Sequence, residues 1–278
     1  MEREIAYQQQ NTRILFGANT VGQSGSITLD WFPCDSRTEH PKLDRPIWAR
    51  VSNTSNRILS IEGPAPDKLR VRRPVTRSGT RCRWKTPSWK MGRMIHCESE
   101  HERNTVRLLD FLPEVLKINE QPARIVYCLN GIEHSHVPDL LVVTKSGKEF
   151  WEIKLARGAA KDEIRIRTDF LSHQLPTQGF AYRLIIADDL GRNPRMDNVS
   201  RVLSLGRHDI PTREREFLNQ LLLKMEITWA QVQAQAFGPY SAHYICRLVL
   251  EGELWFDVEQ PMTPETTFAP ISAHRQRR

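Results

Sequence analysis

Residues 136–157 read HVPDLLVVTKSGKEFWEIKLAR, and the fold turns on how this stretch is read. Two runs of strong β formers, Leu140 to Val143 and Phe150 to Leu155, flank Lys145-Ser146-Gly147-Lys148. Such runs around a Gly-containing turn predict a β-hairpin. With Ser146-Gly147 as the two-residue loop, Asp139 falls opposite Lys154 and Leu141 opposite Glu152. Side chains alternate faces along a strand, so Asp139, Glu152 and Lys154 share one face. Cross-strand neighbours lie roughly 4.5–8 Å apart, a spacing that lets two carboxylates grip one divalent cation beside an ammonium.

The elements around the hairpin follow from periodicity and punctuation. Ser99-x-x-Glu102 precedes Val106, Leu108, Leu109 and Leu112, which predicts a capped helix that Pro113 ends. Val115 to Ile118 and Ile125 to Tyr127 suggest strands leading to a turn at Asn130-Gly131. Ala159 to Leu175 reads as an amphipathic helix stopped by Pro176, and Arg183 to Ala187 as a short buried strand. Helix, strands, helix and strand in that order predict an α/β domain with a mixed sheet.

Outside this block the texture changes. Residues 1–64 contain short alternating runs (Ile27, Leu29, Trp31; Ile47, Ala49, Val51; Ile58, Leu59, Ile61) and predict a β-rich N-terminal extension without evident chemistry. From residue 193 onward, helices at Arg213–Met225, from Thr228 to about Phe237, and at Ser241–Leu250 precede a strand in ELWFDV. Three short helices and a β-wing predict a winged-helix-like module over 193–278, ending in a basic tail. Its third helix carries Arg247 as its one permanent cation, which favours protein docking over groove reading. The expected domains are therefore 1–64, 65–192 and 193–278.

Composition limits the function classes. The chain has 278 residues, 39% hydrophobic and 26% charged, as in soluble globular proteins. No apolar run approaches the roughly 20 residues of a membrane span, and no leader-like segment opens the chain, so a cytoplasmic setting is expected. The five cysteines are scattered without a CxxC pair, which argues against a zinc knuckle or a disulfide frame. Net charge is +7, and the bias is local: Lys68 to Cys97 holds ten Lys or Arg and no acid, with Trp84 and Trp89 interleaved. Cations of this density neutralise phosphates, so Arg77, Arg81, Arg83, Lys85, Lys90 and Arg93 are candidate DNA contacts; the plain alternative is a solvated basic loop.

Hydrolysis of a phosphodiester at neutral pH needs a strong nucleophile and neutralisation at phosphorus. A divalent cation held by acidic side chains supplies both. Hard cations take oxygen donors, so Asp139, Glu152 and a main-chain carbonyl, that of Ile153, with Glu102 as a further carboxylate, suit Mg²⁺ or Mn²⁺ better than Zn²⁺. Lys154 then orients water or offsets charge. The plain readings stand beside these: E-x-K is a common exposed face, Pro-Asp a turn, Glu102 a helix cap, and His134 and His136 exposed edge histidines. Asp162 and Glu163 read as first-turn helix charges, Asp188-Asp189 as a strand-end loop, and Cys97 and Cys128 as inert thiols.

Taken together, Glu102, Asp139 and Glu152-x-Lys154 resemble the restriction-endonuclease-like PD-(D/E)xK nucleases. More narrowly, the layout resembles TnsA, the endonuclease subunit of heteromeric cut-and-paste transposases. The matching features run in order: the basic stretch Arg77–Arg93, Ser99-x-x-Glu102, Leu116-x-Ile118-x-Glu120-Gln121, Asp139-Leu-Leu-Val, Glu152-Ile-Lys154 and Leu184-Ile-Ile. They span roughly residues 65–190. The resemblance implies an active site of Glu102, Asp139, Glu152 and Lys154. It also implies nicking of double-stranded DNA at transposon ends beside an RNase-H-like TnsB-type transposase and a TnsC-type AAA+ regulator. A stand-alone restriction or repair nuclease, and a DNA-binding regulator with an inert nuclease fold, remain the alternatives.

Overall fold

The computed structural model describes residues 56–71, 84–222 and 225–271. The strands and helices run in the order β1 (Arg57–Glu62), β2 (Trp84–Ser88), β3 (Arg93–Cys97), α1 (Glu100–Phe111), β4 (Val115–Glu120), β5 (Arg124–Leu129), β6 (Ile132–His136), β7 (Leu140–Thr144) and β8 (Lys148–Lys154). Then come α2 (Ala156–Ala159), α3 (Asp162–Gln174), β9 (Ala181–Ile186), α4 (Arg195–Leu205), α5 (Thr212–Leu222), β10 (Ile227–Thr228), α6 (Trp229–Gln233), α7 (Ser241–Glu251), β11 (Leu254–Trp255) and β12 (Thr267–Pro270). This is a mixed α/β fold of several sheets, consistent with a nuclease-like architecture. The chain forms two compact units. One takes the described part of 1–82 with 116–189; the other takes 83–115 with 190–278.

In the first unit a four-stranded sheet has the order β4-β7-β8-β9. β7 and β8 are antiparallel, while β8 and β9 are parallel. A parallel neighbour demands a crossover, and α2 and α3 supply it. β8 is interior to the sheet, so Phe150 to Ile153 are buried on both faces, unlike the alternating β7. This placement, rather than any local propensity, takes Glu152 out of water. A second sheet, β1-β5-β6, aims Ile125, Tyr127 and Leu129 at a core with Phe150, Phe170, Leu171 and Leu175. β1, read from the sequence as part of the N-terminal extension, pairs antiparallel with β5. Residues 1–55, with the other expected strands of that extension, lie outside the described residues.

The hairpin forms, but its turn sits one residue earlier than expected. Leu141 pairs with Phe150 and Val143 with Lys148, and Thr144 N donates to Gly147 O at 2.9 Å, leaving Lys145-Ser146 as the loop. Gly147 adopts φ +156, a conformation open mainly to glycine, so it serves the strand entry instead of the loop. The register thus moves by two, and Asp139 precedes the paired segment on the Glu152 side. A two-residue slip preserves faces, so the shared face of Asp139, Glu152 and Lys154 survives.

The second unit gathers α1, α4, α5, α6 and α7 with a β2–β3 hairpin and a small sheet ordered β10-β12-β11. The helices expected near 213, 228 and 241 are present, with Thr228 and Gln231 forming a reciprocal cap. α4 was not foreseen. Its C-terminal Gly206 lies so close to the Cys246 backbone that a Cβ would stand 2.8 Å from it. Among the described residues, no helix is long and apolar enough to cross a membrane.

Candidate active site

Four elements of the first unit converge on the Glu152 carboxylate. β8 carries Glu152 with 3% of its surface exposed. Lys154, two residues on and on the same face, brings Nζ to 2.6 Å from Glu152 Oε1 and 3.7 Å from Asp139 Oδ2. Asp139 is fixed from the chain itself: Ile153 N donates to its Oδ2 at 2.7 Å, and Gln121 N donates to its carbonyl at 2.9 Å. α3 contributes Arg167, whose Nη2 donates to Glu152 Oε1 at 3.0 Å. β6 ends on His136, with Nε2 3.2 Å from Glu152 Oε2 and 3.1 Å from the phenol oxygen of Tyr182 on β9.

The electrostatics follow from burial set against these partners. Burial pushes the Glu152 carboxyl up, yet His136 and Lys154 more than offset it and hold it down to about 2. Burial lowers Lys154 too, but the Asp139 and Glu152 carboxylates raise it above the usual lysine value. It therefore stays an ammonium and acts as a donor and a charge, not as a base. Burial depresses His136, outweighing the pull of Glu152, which favours the neutral imidazole. Burial drives Tyr182 well above the ordinary phenol value. Two carboxylates then face two fixed cations, Lys154 and Arg167, and the local charge balances.

The donor set fits a hard divalent cation in part. Glu152 Oε2 takes neither Lys154 nor Arg167 and has His136 Nε2 at 3.2 Å, which leaves a carboxylate lone pair for a cation. The Ile153 carbonyl accepts from Lys154 Nζ at 3.3 Å. Among the described residues no group of three His, Cys, Asp or Glu is set out to hold a metal. A bound cation therefore needs oxygens from the substrate or water as well.

Glu102 lies in the other unit, at the third position of α1. Its backbone N–H donates to Ser99 Oγ at 3.1 Å; its Oε1 accepts from Ser99 Oγ at 2.9 Å and its Oε2 from Glu98 N at 2.8 Å. This is the expected cap, reaching one residue further back than the usual box. Its further role as a catalytic carboxylate rests on the resemblance.

The basic stretch divides. Arg77, Arg81 and Arg83 lie outside the described residues. Lys85 is exposed on β2, and Arg93 opens β3 half-buried. Lys90 departs from the DNA-facing expectation. Its Nζ donates to Leu109 O at 3.1 Å, to Val115 O at 2.8 Å and to Leu112 O, gathering carbonyls left over at the end of α1. Trp89 Nε1 donates to Asp110 O at 2.7 Å, and Arg247 stacks over its ring at 5.0 Å. Trp84 carries Arg103 at 4.1 Å. Both tryptophans thus have cation partners within the unit.

His136 also departs from expectation. It is buried, not exposed, while His134 stacks on Tyr127 at 5.3 Å. Asp188, read as a plain loop residue, accepts Ala156 N at 2.7 Å at the start of α2. Arg167 and Tyr182 were not singled out at all. No local signal marks them, because each reaches Glu152 only through the β8–α3–β9 crossover.

A mixed sheet has an interior strand, β8, that presents Glu152-x-Lys154 beside Asp139. Residues 112–185 match the family model of the TnsA-like endonuclease N terminal, so this stretch of the chain is similar to that domain. No curated protein matches the chain.

Proposed function

We propose that this protein is a metal-dependent DNA endonuclease that nicks one strand at each transposon end, as a subunit of a cut-and-paste transposase. The observation that carries the proposal is the buried, ionised Glu152 held beside Asp139 and the Lys154 ammonium in the segment that matches the TnsA-like model. A Mg²⁺ or Mn²⁺ ion, when bound, clamps phosphate oxygens and acidifies a water molecule. Asp139, Glu152 and the Ile153 carbonyl would hold it. Lys154 offers protons toward the attacked phosphate or the attacking water and offsets charge as the phosphorane forms. Arg77, Arg81, Arg83, Lys85 and Arg93 meet the duplex backbone. The module from residue 193 docks an AAA+ regulator of the TnsC type, and a TnsB-like transposase cuts the opposite strand.

Purified protein and supercoiled DNA carrying the transposon ends, with Mg²⁺ and the partner transposase, test this directly. Nicked product is expected with the native chain and loss of roughly 10²-fold or more with Asp139→Ala or Lys154→Ala. Nicking that survives both substitutions overturns the site. Site-specific cutting without any partner points instead to a stand-alone nuclease. Glu102→Gln preserves much of the cap while removing the charge; lost nicking at unchanged melting temperature marks a catalytic role, and unchanged nicking confines Glu102 to capping.

A further inference from the structure

One oxygen of a buried carboxylate holds two permanent cations. Glu152 Oε1 takes Lys154 Nζ at 2.6 Å and Arg167 Nη2 at 3.0 Å, while Oε2 takes neither. Lys154 belongs to the E-x-K pattern; Arg167 belongs to nothing expected. It stands on α3, a separate element, and its own Nε–H is buried without an acceptor among the described residues. Tyr182, whose phenol oxygen lies 3.1 Å from His136 Nε2, is a further electrostatic partner of the guanidinium. Such a fork is shaped for an oxyanion with two acceptor oxygens, and a carboxylate that shares its oxygen with an ammonium satisfies only part of it.

Charge balance gives the rest. The carboxylates of Asp139 and Glu152 are already matched by Lys154 and Arg167. A divalent ion on the two carboxylates leaves the site strongly positive, and a phosphodiester with growing negative charge is the species that restores balance. We propose that Arg167 is a second cation of the active site. It holds Glu152 in the resting protein and transfers its fork to the phosphate being cut when Glu152 engages metal. This rests on the nuclease reading above. It makes Arg167 a competitor of metal for Glu152 before DNA arrives and a catalytic residue afterwards.

Those two roles move two measurements in opposite directions. The test uses the full chain, Mn²⁺ binding by calorimetry without DNA, and single-turnover nicking with the partner transposase at saturating Mn²⁺ and saturating DNA. Arg167→Met removes the charge and keeps the length. It is expected to bind Mn²⁺ severalfold more tightly, because a rival cation has left Oε1, yet to nick roughly 10²-fold more slowly. Arg167→Lys is expected to keep the native Mn²⁺ affinity and recover part of the rate. A merely structural arginine predicts weaker Mn²⁺ binding together with slower nicking and a lower melting temperature, and that pattern overturns the proposal. Native nicking by Arg167→Met overturns it too. Should Arg167→Met fail to fold, Arg167→Lys decides alone: native affinity with a slower rate supports the proposal, and weakened affinity sinks it. If the native chain itself neither binds Mn²⁺ nor nicks, the nuclease reading fails, which is a different result from a working nuclease indifferent to Arg167.

Discussion

Glu152 carries a negative charge where water scarcely reaches, and its partners make that tolerable. An unpaired buried carboxylate is costly, and the cure here is an ammonium and a guanidinium on one oxygen with an imidazole near the other. The consequence is a pH signature. The carboxyl lies at about 2 in the fold against an ordinary 4.5, so the unfolded chain binds the proton first as pH falls. The stability owed to this group is complete above about 4.5 and drains away as pH drops toward 2, in total about 3 kcal/mol. Urea unfolding of the native chain and of Glu152→Gln should therefore differ most near pH 7, and the difference should shrink as pH falls from about 4.5 toward 2. A gap independent of pH means Glu152 is not the ionised centre described. At this scale the sequence revealed Asp139, Glu152 and Lys154 because strand alternation with period 2 fixes a face whatever the register. Even a turn misplaced from Lys145-Ser146 to Ser146-Gly147 left them together. His136, Arg167 and Tyr182 could not be read in this way. Each comes from a different element: the crossover brings Arg167 and Tyr182 to the site, and the end of β6 brings His136.

At the scale of elements, the β2–β3 hairpin and α1 show a basic segment diverted into architecture. Asp110 accepts from Ser88 Oγ at 2.6 Å, Trp89 N at 3.0 Å and Lys90 N at 3.3 Å, fastening the turn to the helix end. Lys90 then donates to three backbone carbonyls, those of Leu109 and Leu112 at the end of α1 and of Val115 at the start of β4. Lys90→Met keeps the stem and removes the donors, and should lower stability by about 2–4 kcal/mol. The pH dependence has a definite sign. Burial pulls Lys90 down from 10.5 to about 8, against the Asp110 and Glu114 carboxylates. The unfolded chain therefore holds the extra proton between those values, and the native stability owed to this group rises as pH climbs from about 8 to 10.5. Chemical denaturation across that range should show the rise in the native chain and not in Lys90→Met. The helix itself was legible from Ser99-x-x-Glu102 and the apolar spacing. The hairpin was not, because Lys85 to Arg93 reads as an acid-free charge run and its β pairing depends on Asp110, twenty residues away. α4 was hidden similarly, since RMDNVSRVLSL lacks a side-chain cap and is apolar only in part.

For the whole molecule, a net charge of +7 attracts a polyanion, but the effective part of that charge is smaller than the sequence count suggests. Of the ten cations between Lys68 and Cys97, Lys90 is committed to backbone carbonyls, and Arg70 pairs with Glu120 at 3.4 Å. Cations that neutralise phosphates release counterions, and each contributes roughly 0.9 to the slope of log affinity against log salt on duplex DNA. Cations already paired inside the fold contribute nothing to that slope. Replacing Arg77, Arg81 and Arg83 together by Ala should then flatten the slope by up to about 3. Lys90→Met, measured at a temperature where it remains folded, should leave the slope unchanged even though it removes the same charge from the same stretch. Fluorescence anisotropy of a labelled duplex over a series of salt concentrations separates the two cases. Equal flattening per charge by both sets of changes would mean that the run acts as one diffuse cationic patch and that the anchoring of Lys90 does not withhold it from DNA. A slope that responds to the arginines alone locates the phosphate-facing surface in 77–83 and assigns Lys90 to holding the end of α1.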